Sequence, residues 1–257
     1  MHVQEFITIL KERAAQQNDA FPIREGTPLG IDAGANVVFS QTEKSPLTMR
    51  HTCVTGTRKT EFIKRLILTL SYLYGKSEAN FLILSPRLDY GELMRLSCAD
   101  VTVPFVRSKT DLQAALQTVG ELLSMYALGG KGYPKLFLVM DGLEEIDGCN
   151  ENSDLEEYFT FFEKVARNKN VEFITGAELM KSIFSGYPGA FVGVGNCLIT
   201  TREEGKADVT YVGDDSTLSL PTVMEYPASP SVMETIITRN ALDKKTNAGA
   251  NESGIEL

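Results

Sequence analysis

HTCVTGTRKTEFIKRLILTL, residues 51–70, decides how this chain is read. Its first half, HTCVT (51–55), is a short β candidate that ends at Gly56. Its second half opens residues 60–74, where Phe62, Ile63, Leu66, Ile67, Leu70 and Leu73 recur at helical spacing. That spacing predicts an amphipathic helix. Between them lie Gly56, Thr57, Arg58, Lys59 and Thr60. A strand, a glycine, Lys-Thr and then a helix is the order of a phosphate-binding loop. There, backbone N–H groups and the helix N-terminus hold phosphates, the lysine neutralises their charge, and the threonine hydroxyl ligates magnesium.

The fit to G-x-x-x-x-G-K-[ST] is incomplete. Counting back from Lys59-Thr60 puts the two glycine positions on Cys53 and Arg58. Anchoring on the strand puts Gly56 first and leaves the loop about three residues short of the motif. The second register is preferred, because Gly56 directly follows the apolar strand. Either way the phosphate nest is damaged, since glycine supplies its unusual backbone angles. Arg58 can restore charge there but not backbone geometry.

A second strand end complements the first. KLFLVMDGLEEID (135–147) is an apolar strand closing on Asp141, the layout in which an aspartate orients a magnesium shell. The next residue is Gly142, where an ATPase with an added base usually carries glutamate. Glu144 and Glu145 lie two and three residues beyond that position and are the candidates for a base. The alternative is that Asp141 merely ends the strand and the acids form a solvated loop.

Outward from these two segments, strands and helices alternate. Residues 3–17 carry an amphipathic stripe, and the polar stretch to Gly34 reads as a connecting loop. NVVFSQ (36–41) and FLILS (81–85) read as strands. VTVPFV (101–106) reads as an edge or a short piece, because Pro104 lacks a ladder donor. Helices are expected at 110–127, 153–168 and 177–185, and a strand at VEFITG (171–176). NCLITT (196–201), VTYVG (209–213) and STLSLP (216–221) read as strands joined by short turns, and the polar segment from about 241 as a disordered tail. The alternation predicts an α/β fold with a mostly parallel sheet flanked by helices and extra strands toward the C-terminus. Ligands of such sheets sit beyond the carboxyl ends of the strands.

Composition narrows the classes. The chain has 257 residues, 43% hydrophobic and 23% charged, an ordinary globular balance. No apolar run reaches the roughly 18–20 residues of a membrane span, and the N-terminus lacks the pattern of a signal peptide. The four cysteines, Cys53, Cys98, Cys149 and Cys197, form no C-x-x-C pair, so a zinc cluster is not indicated. Widely spaced thiols fit a reducing cytoplasm. The two histidines, His2 and His51, argue against histidine-based hydrolase chemistry, and His51 reads as a packing or capping residue. A net charge of −9 speaks against DNA binding by the isolated chain. Arg87, Arg107 and Arg202 follow strands and read as solvated loop arginines, or alternatively as groups facing a phosphate or a neighbouring subunit. Phe159, Phe161 and Phe162 read as helix core.

Several of these segments together carry a family resemblance. PLGID (28–32), a strand, His51, an apolar strand, Gly56, Lys59-Thr60 and the helix FIKRLILTL resemble the FtsK/SpoIIIE group of P-loop motors. FLVMD (137–141), FITG (173–176) and GNCLITTREEGKADVTYVG (195–213) are similar to that domain's Walker B, following and closing strands. The late ATPase domains of type VII secretion systems, whose P-loops have often decayed, are the branch most resembled. The resemblance implies a three-layer P-loop NTPase-like (RecA/FtsK-like) domain over residues 21–240, led in by an amphipathic helix over 1–20 and followed by a tail over 241–257.

It also implies ATP at Gly56, Thr57, Arg58, Lys59 and Thr60, with magnesium at Thr60 and Asp141. A domain that has lost the nucleotide is equally compatible. Implied partners are other subunits or domains of a secretion or translocase assembly and a helical secreted protein. The expected place is the cytoplasm, with any membrane contact made through partners. Three functional readings follow: a nucleotide-binding or regulatory module with little or no hydrolysis, a nucleotide-free interaction module, and an active DNA-translocase-type ATPase.

Overall fold

The computed structural model describes residues 28–31, 37–39, 51–74, 78–95, 100–104, 106–128, 133–146, 170–176, 196–202, 206–212 and 217–224. The helices expected at 3–17, 153–168 and 177–185 and the tail after 240 lie outside them.

The described strands are β1 (Pro28–Ile31), β2 (Val37–Phe39), β3 (His51–Gly56), β4 (Ala79–Leu84), β5 (Asp100–Thr102), β6 (Lys135–Met140), β7 (Val171–Gly176), β8 (Asn196–Thr201), β9 (Lys206–Val212) and β10 (Thr217–Met224). They form one sheet in the order β2-β1-β10-β9-β8-β3-β7-β6-β4-β5. From β8 to β5 every pairing is parallel. From β8 outward through β9, β10, β1 and β2 every pairing is antiparallel. The expected α/β class, the mostly parallel centre and the extra C-terminal strands are therefore all present. One expectation is corrected. Pro28–Ile31 is not connecting loop but a strand between β2 and β10. Its proline is the first residue, where a missing N–H does least harm to a ladder.

Among the described residues two α-helices cover the two faces. Helix α1 (Lys59–Leu73) packs Phe62, Ile63, Leu66, Ile67 and Leu70 with Val54, Phe81, Phe137 and Ile174 in one core. Helix α2 (Lys109–Ala127) packs Leu112, Leu116, Val119 and Leu123 with Leu82, Leu84, Leu138 and Phe173 in the other. Side chains alternate across a strand, so Phe137 and Val139 serve the first core while Leu136, Leu138 and Met140 serve the second. All six residues of β6 are buried, which is why its sequence is continuously apolar rather than alternating. Lys135 and Glu172 are the polar exception. They pair at 2.7 Å across β6 and β7, and the Lys135 ammonium lies 4.9 Å from the centre of the Phe137 ring.

The order of the parallel strands brings the two strand ends singled out in the sequence together. β7 lies between β3 and β6, so the turns after Gly56 and Met140 flank its C-terminal Gly176.

Candidate functional site at the carboxyl ends of β3, β6 and β4

The turn after β3 is short. Strand β3 ends at Gly56 and α1 begins at Lys59, so Thr57 and Arg58 alone connect them. Gly56 has φ +101°, in the region that favours glycine. It is registered with Thr201 of β8. A Cβ at Gly56 would stand 2.3 Å from the Thr201 carbonyl oxygen. The Arg58 N–H donates to Thr201 Oγ1 at 3.2 Å, and that hydroxyl donates to the Thr55 carbonyl at 2.9 Å. The turn is thus fastened to β8, and one N–H that a phosphate nest would use is already bonded. No side chain caps α1.

The turn after β6 supplies a fully buried carboxylate. Asp141 Oδ2 accepts from Thr60 Oγ1 at 2.6 Å and from the Tyr90 hydroxyl at 2.8 Å. Tyr90 lies in a 3₁₀ segment, Leu88–Arg95, that the sequence reading did not identify. Burial, and then the Asp141 charge, push the Tyr90 phenol well above its ordinary pKa, so it stays protonated and donating. Asp141 Oδ1 makes no hydrogen bond. It turns toward Gly176, where a Cβ would stand 2.7 Å from it and 3.7 Å from Lys59 Cδ. The bare backbone of Gly176 thus lets Asp141 and the buried Lys59 chain approach each other over the end of β7.

Arg87, beyond the end of β4, completes the arrangement. Its Nη1 donates to Thr60 Oγ1 at 2.6 Å and stands 3.9 Å from Asp141 Oδ2. Its Nε donates to Glu145 Oε1 at 2.9 Å, and its Nη2 contacts the same oxygen. The guanidinium hydrogen bonds, then its charge and that of Lys59, hold the Glu145 carboxyl below its usual range. Gly142 makes room for this. Its φ is +71°, and a Cβ there would stand 3.0 Å from Arg87 Nε.

The structure therefore brings Lys59, Thr60 and Asp141 together, with Gly56 at the turn as the strand-anchored register expects. Thr57 is exposed, and Arg58 is bonded to Glu61 at 3.0 Å. Glu145 is bound to a guanidinium, which leaves an anion poorly disposed to take a proton; the Glu144 side chain lies outside the described residues. The sequence leaves Arg87 as a solvated loop arginine or a group facing a phosphate or a neighbouring subunit. The structure ties it into the site through Thr60, Asp141 and Glu145. His51 is a buried packing residue, as expected, with Nε2 2.7 Å from Thr175 Oγ1.

Of the groups expected to hold ATP and magnesium, Lys59, Thr60 and Asp141 lie at neighbouring strand ends, and Thr60 and Asp141 bond to each other. The turn offers little backbone to cradle phosphates, and Arg87 lies across the threonine and the aspartate. Among the described residues no cluster of three or more His, Cys, Asp or Glu forms a metal site, and no helix is long and apolar enough to cross a membrane.

No protein-family model and no curated protein matches the sequence. Solved structures do match in shape. The cytoplasmic domain of the Thermomonospora curvata type VII secretion ATPase EccC is 13% identical, with a TM-score of 0.58 over 79% of this chain and 27% of that one. A protein described as an ATPase is 11% identical, with a TM-score of 0.60 over 88% of this chain and 95% of that one. ATPases 2 and 3 of T. curvata EccC in complex with a signal sequence peptide are 13% identical, with a TM-score of 0.57 over 80% and 41%. The chain spans about a quarter of the first of these and nearly all of the second. At such identities the likeness is one of fold: this chain shares its mostly parallel α/β fold with solved domains of type VII secretion ATPases.

Proposed function

We propose that this chain is a degenerate ATPase module of a type VII-like protein-secretion assembly, closed to nucleotide at rest and without hydrolytic turnover. The observation that carries the reading is the Thr60–Asp141 hydrogen bond of 2.6 Å under the Arg87 guanidinium. A threonine that ligates magnesium and an aspartate that orders its water shell need a cation between them. Here they bond to each other, and a side-chain cation lies beside them. The turn of Thr57 and Arg58, fastened to Thr201, supports the same conclusion. So does Glu145, which is engaged by Arg87 and not free to activate water.

A module of this kind acts through its neighbours. The shared fold supports a place beside other ATPase domains in the cytoplasm, in contact with a membrane only through partners. The signal sequence peptide bound by EccC supports a helical secreted protein as the partner class here. Active DNA translocation is the least supported reading, given a net charge of −9 and Gly142 where a catalytic glutamate would stand.

Calorimetric titration with ATP and magnesium tests the closed site. The expected outcome is no saturable heat at millimolar ATP and no phosphate release. Micromolar binding that Lys59→Ala abolishes would overturn it.

A further inference from the structure

We propose that Arg87 is an autoinhibitory latch: its guanidinium, and not the short turn alone, is what keeps Thr60, Lys59 and Asp141 from accepting a magnesium-bound phosphate. The inference rests on the closed site described above and concerns how that site is regulated.

The latch has a defined seat. One guanidinium edge is bound by Glu145 and the other reaches Thr60 and Asp141. It therefore puts positive charge where a divalent cation would bridge the same threonine and aspartate. Gly142 is part of the seat, because any side chain there would press on Arg87 Nε. The position that would hold a catalytic glutamate is thus one where a side chain would crowd the closed latch.

The latch also has somewhere to go. Arg87 lines a pocket of about 130 Å³ beyond the ends of β4 and β5, together with Ser85, Leu88, Met94, Val106 and Arg107. Among the described residues that lining contains no carboxylate, and it includes a second arginine. Moving into it would cost the guanidinium its counter-ions, so the closed seat is preferred until an outside anion competes. Phosphate oxygens are anions of that kind, and they satisfy arginine by paired hydrogen bonds. On opening, Thr60 Oγ1 and Asp141 Oδ2 would face the space the guanidinium leaves.

The test titrates ATP and magnesium into the wild-type chain, Arg87→Ala and Arg87→Ala/Lys59→Ala, with circular dichroism to establish that each is folded. Arg87→Ala is expected to bind at least about tenfold more tightly than wild type, because a charge competing for the same groups is gone. The added Lys59→Ala is expected to remove that gain. Glu145→Gln loosens the latch while leaving Thr60, Asp141 and Arg87 in place; it is expected to gain binding in the same direction, and it decides the matter if Arg87→Ala fails to fold. A folded Arg87→Ala as silent as wild type, or a Glu145→Gln with no gain when Arg87→Ala is unfolded, overturns the latch and assigns closure to the turn. Tight binding by the wild-type chain would instead overturn the closed-site reading itself, so the two failures are distinct.

Discussion

At the scale of single residues, the site is governed by glycines that admit close neighbours. Gly56 is the sharpest case. Its φ of +101° strains any other residue, and its missing Cβ leaves only the space the Thr201 carbonyl requires. Gly56→Ala is therefore expected to destabilise the fold by about 2–4 kcal/mol, combining backbone strain with a clash against backbone that cannot rotate away. Urea denaturation of the variant checks this, and a loss below about 1 kcal/mol would mean that β3 and β8 separate easily at their ends. Gly142 and Gly176 act differently. The first leaves room for Arg87, and the second lets Asp141 and Lys59 approach.

At the scale of elements, the two helices start in opposite ways. Ser108 caps α2 by accepting from the Asp111 N–H at 3.1 Å, while the Asp111 carboxylate accepts from the Ser108 N–H at 3.0 Å. This is a reciprocal capping box with aspartate in the third position. Those hydrogen bonds to Ser108, and to the Arg107 N–H, lower the pKa of the exposed Asp111. Ser108→Ala is expected to cost about 1 kcal/mol, seen as a lower midpoint in thermal or urea melts. Helix α1 has Arg58 at its N-cap and no side-chain acceptor there. Its hold comes from the apolar stripe against the sheet.

At the scale of the whole molecule, one buried base links stability to pH. His51 sits on a central strand, and burial lowers its pKa from 6.5 to about 3. Between those values the unfolded chain binds a proton that the folded chain refuses. Stability from this group is therefore complete above pH 6.5 and is lost as pH falls toward 3. At pH 5 the loss is about 2 kcal/mol relative to neutral pH, from roughly 1.5 units at 1.36 kcal/mol each. Urea melts across pH 5–7 should show that slope, and His51→Gln, which keeps a hydrogen-bonding group for Thr175, should flatten it. An unchanged slope in the variant would assign the acid sensitivity to carboxylates.

What the sequence determined by itself was the alternation of β3, α1, β4, β6 and β7, because burial on both faces writes continuous apolar runs and a one-sided helix writes a 3.6-residue stripe. It also marked Gly56, Lys59, Thr60 and Asp141 as strand-end residues, since glycine, Lys-Thr and a terminal aspartate are local signals. It did not disclose the 3₁₀ segment of Tyr90 or the strand at Pro28–Ile31. The first is too short for a periodicity, and the second is held by pairing with β2 and β10. Nor did it disclose the role of Arg87, which lies 27 residues from Thr60 and 58 from Glu145. Only the parallel order that sets β4 beside β6, and β7 between β6 and β3, brings those groups within hydrogen-bonding reach. Whether a strand-end lysine and threonine face open space or another side chain's charge is decided by which strands are neighbours, and strand neighbours are a property of the folded sheet.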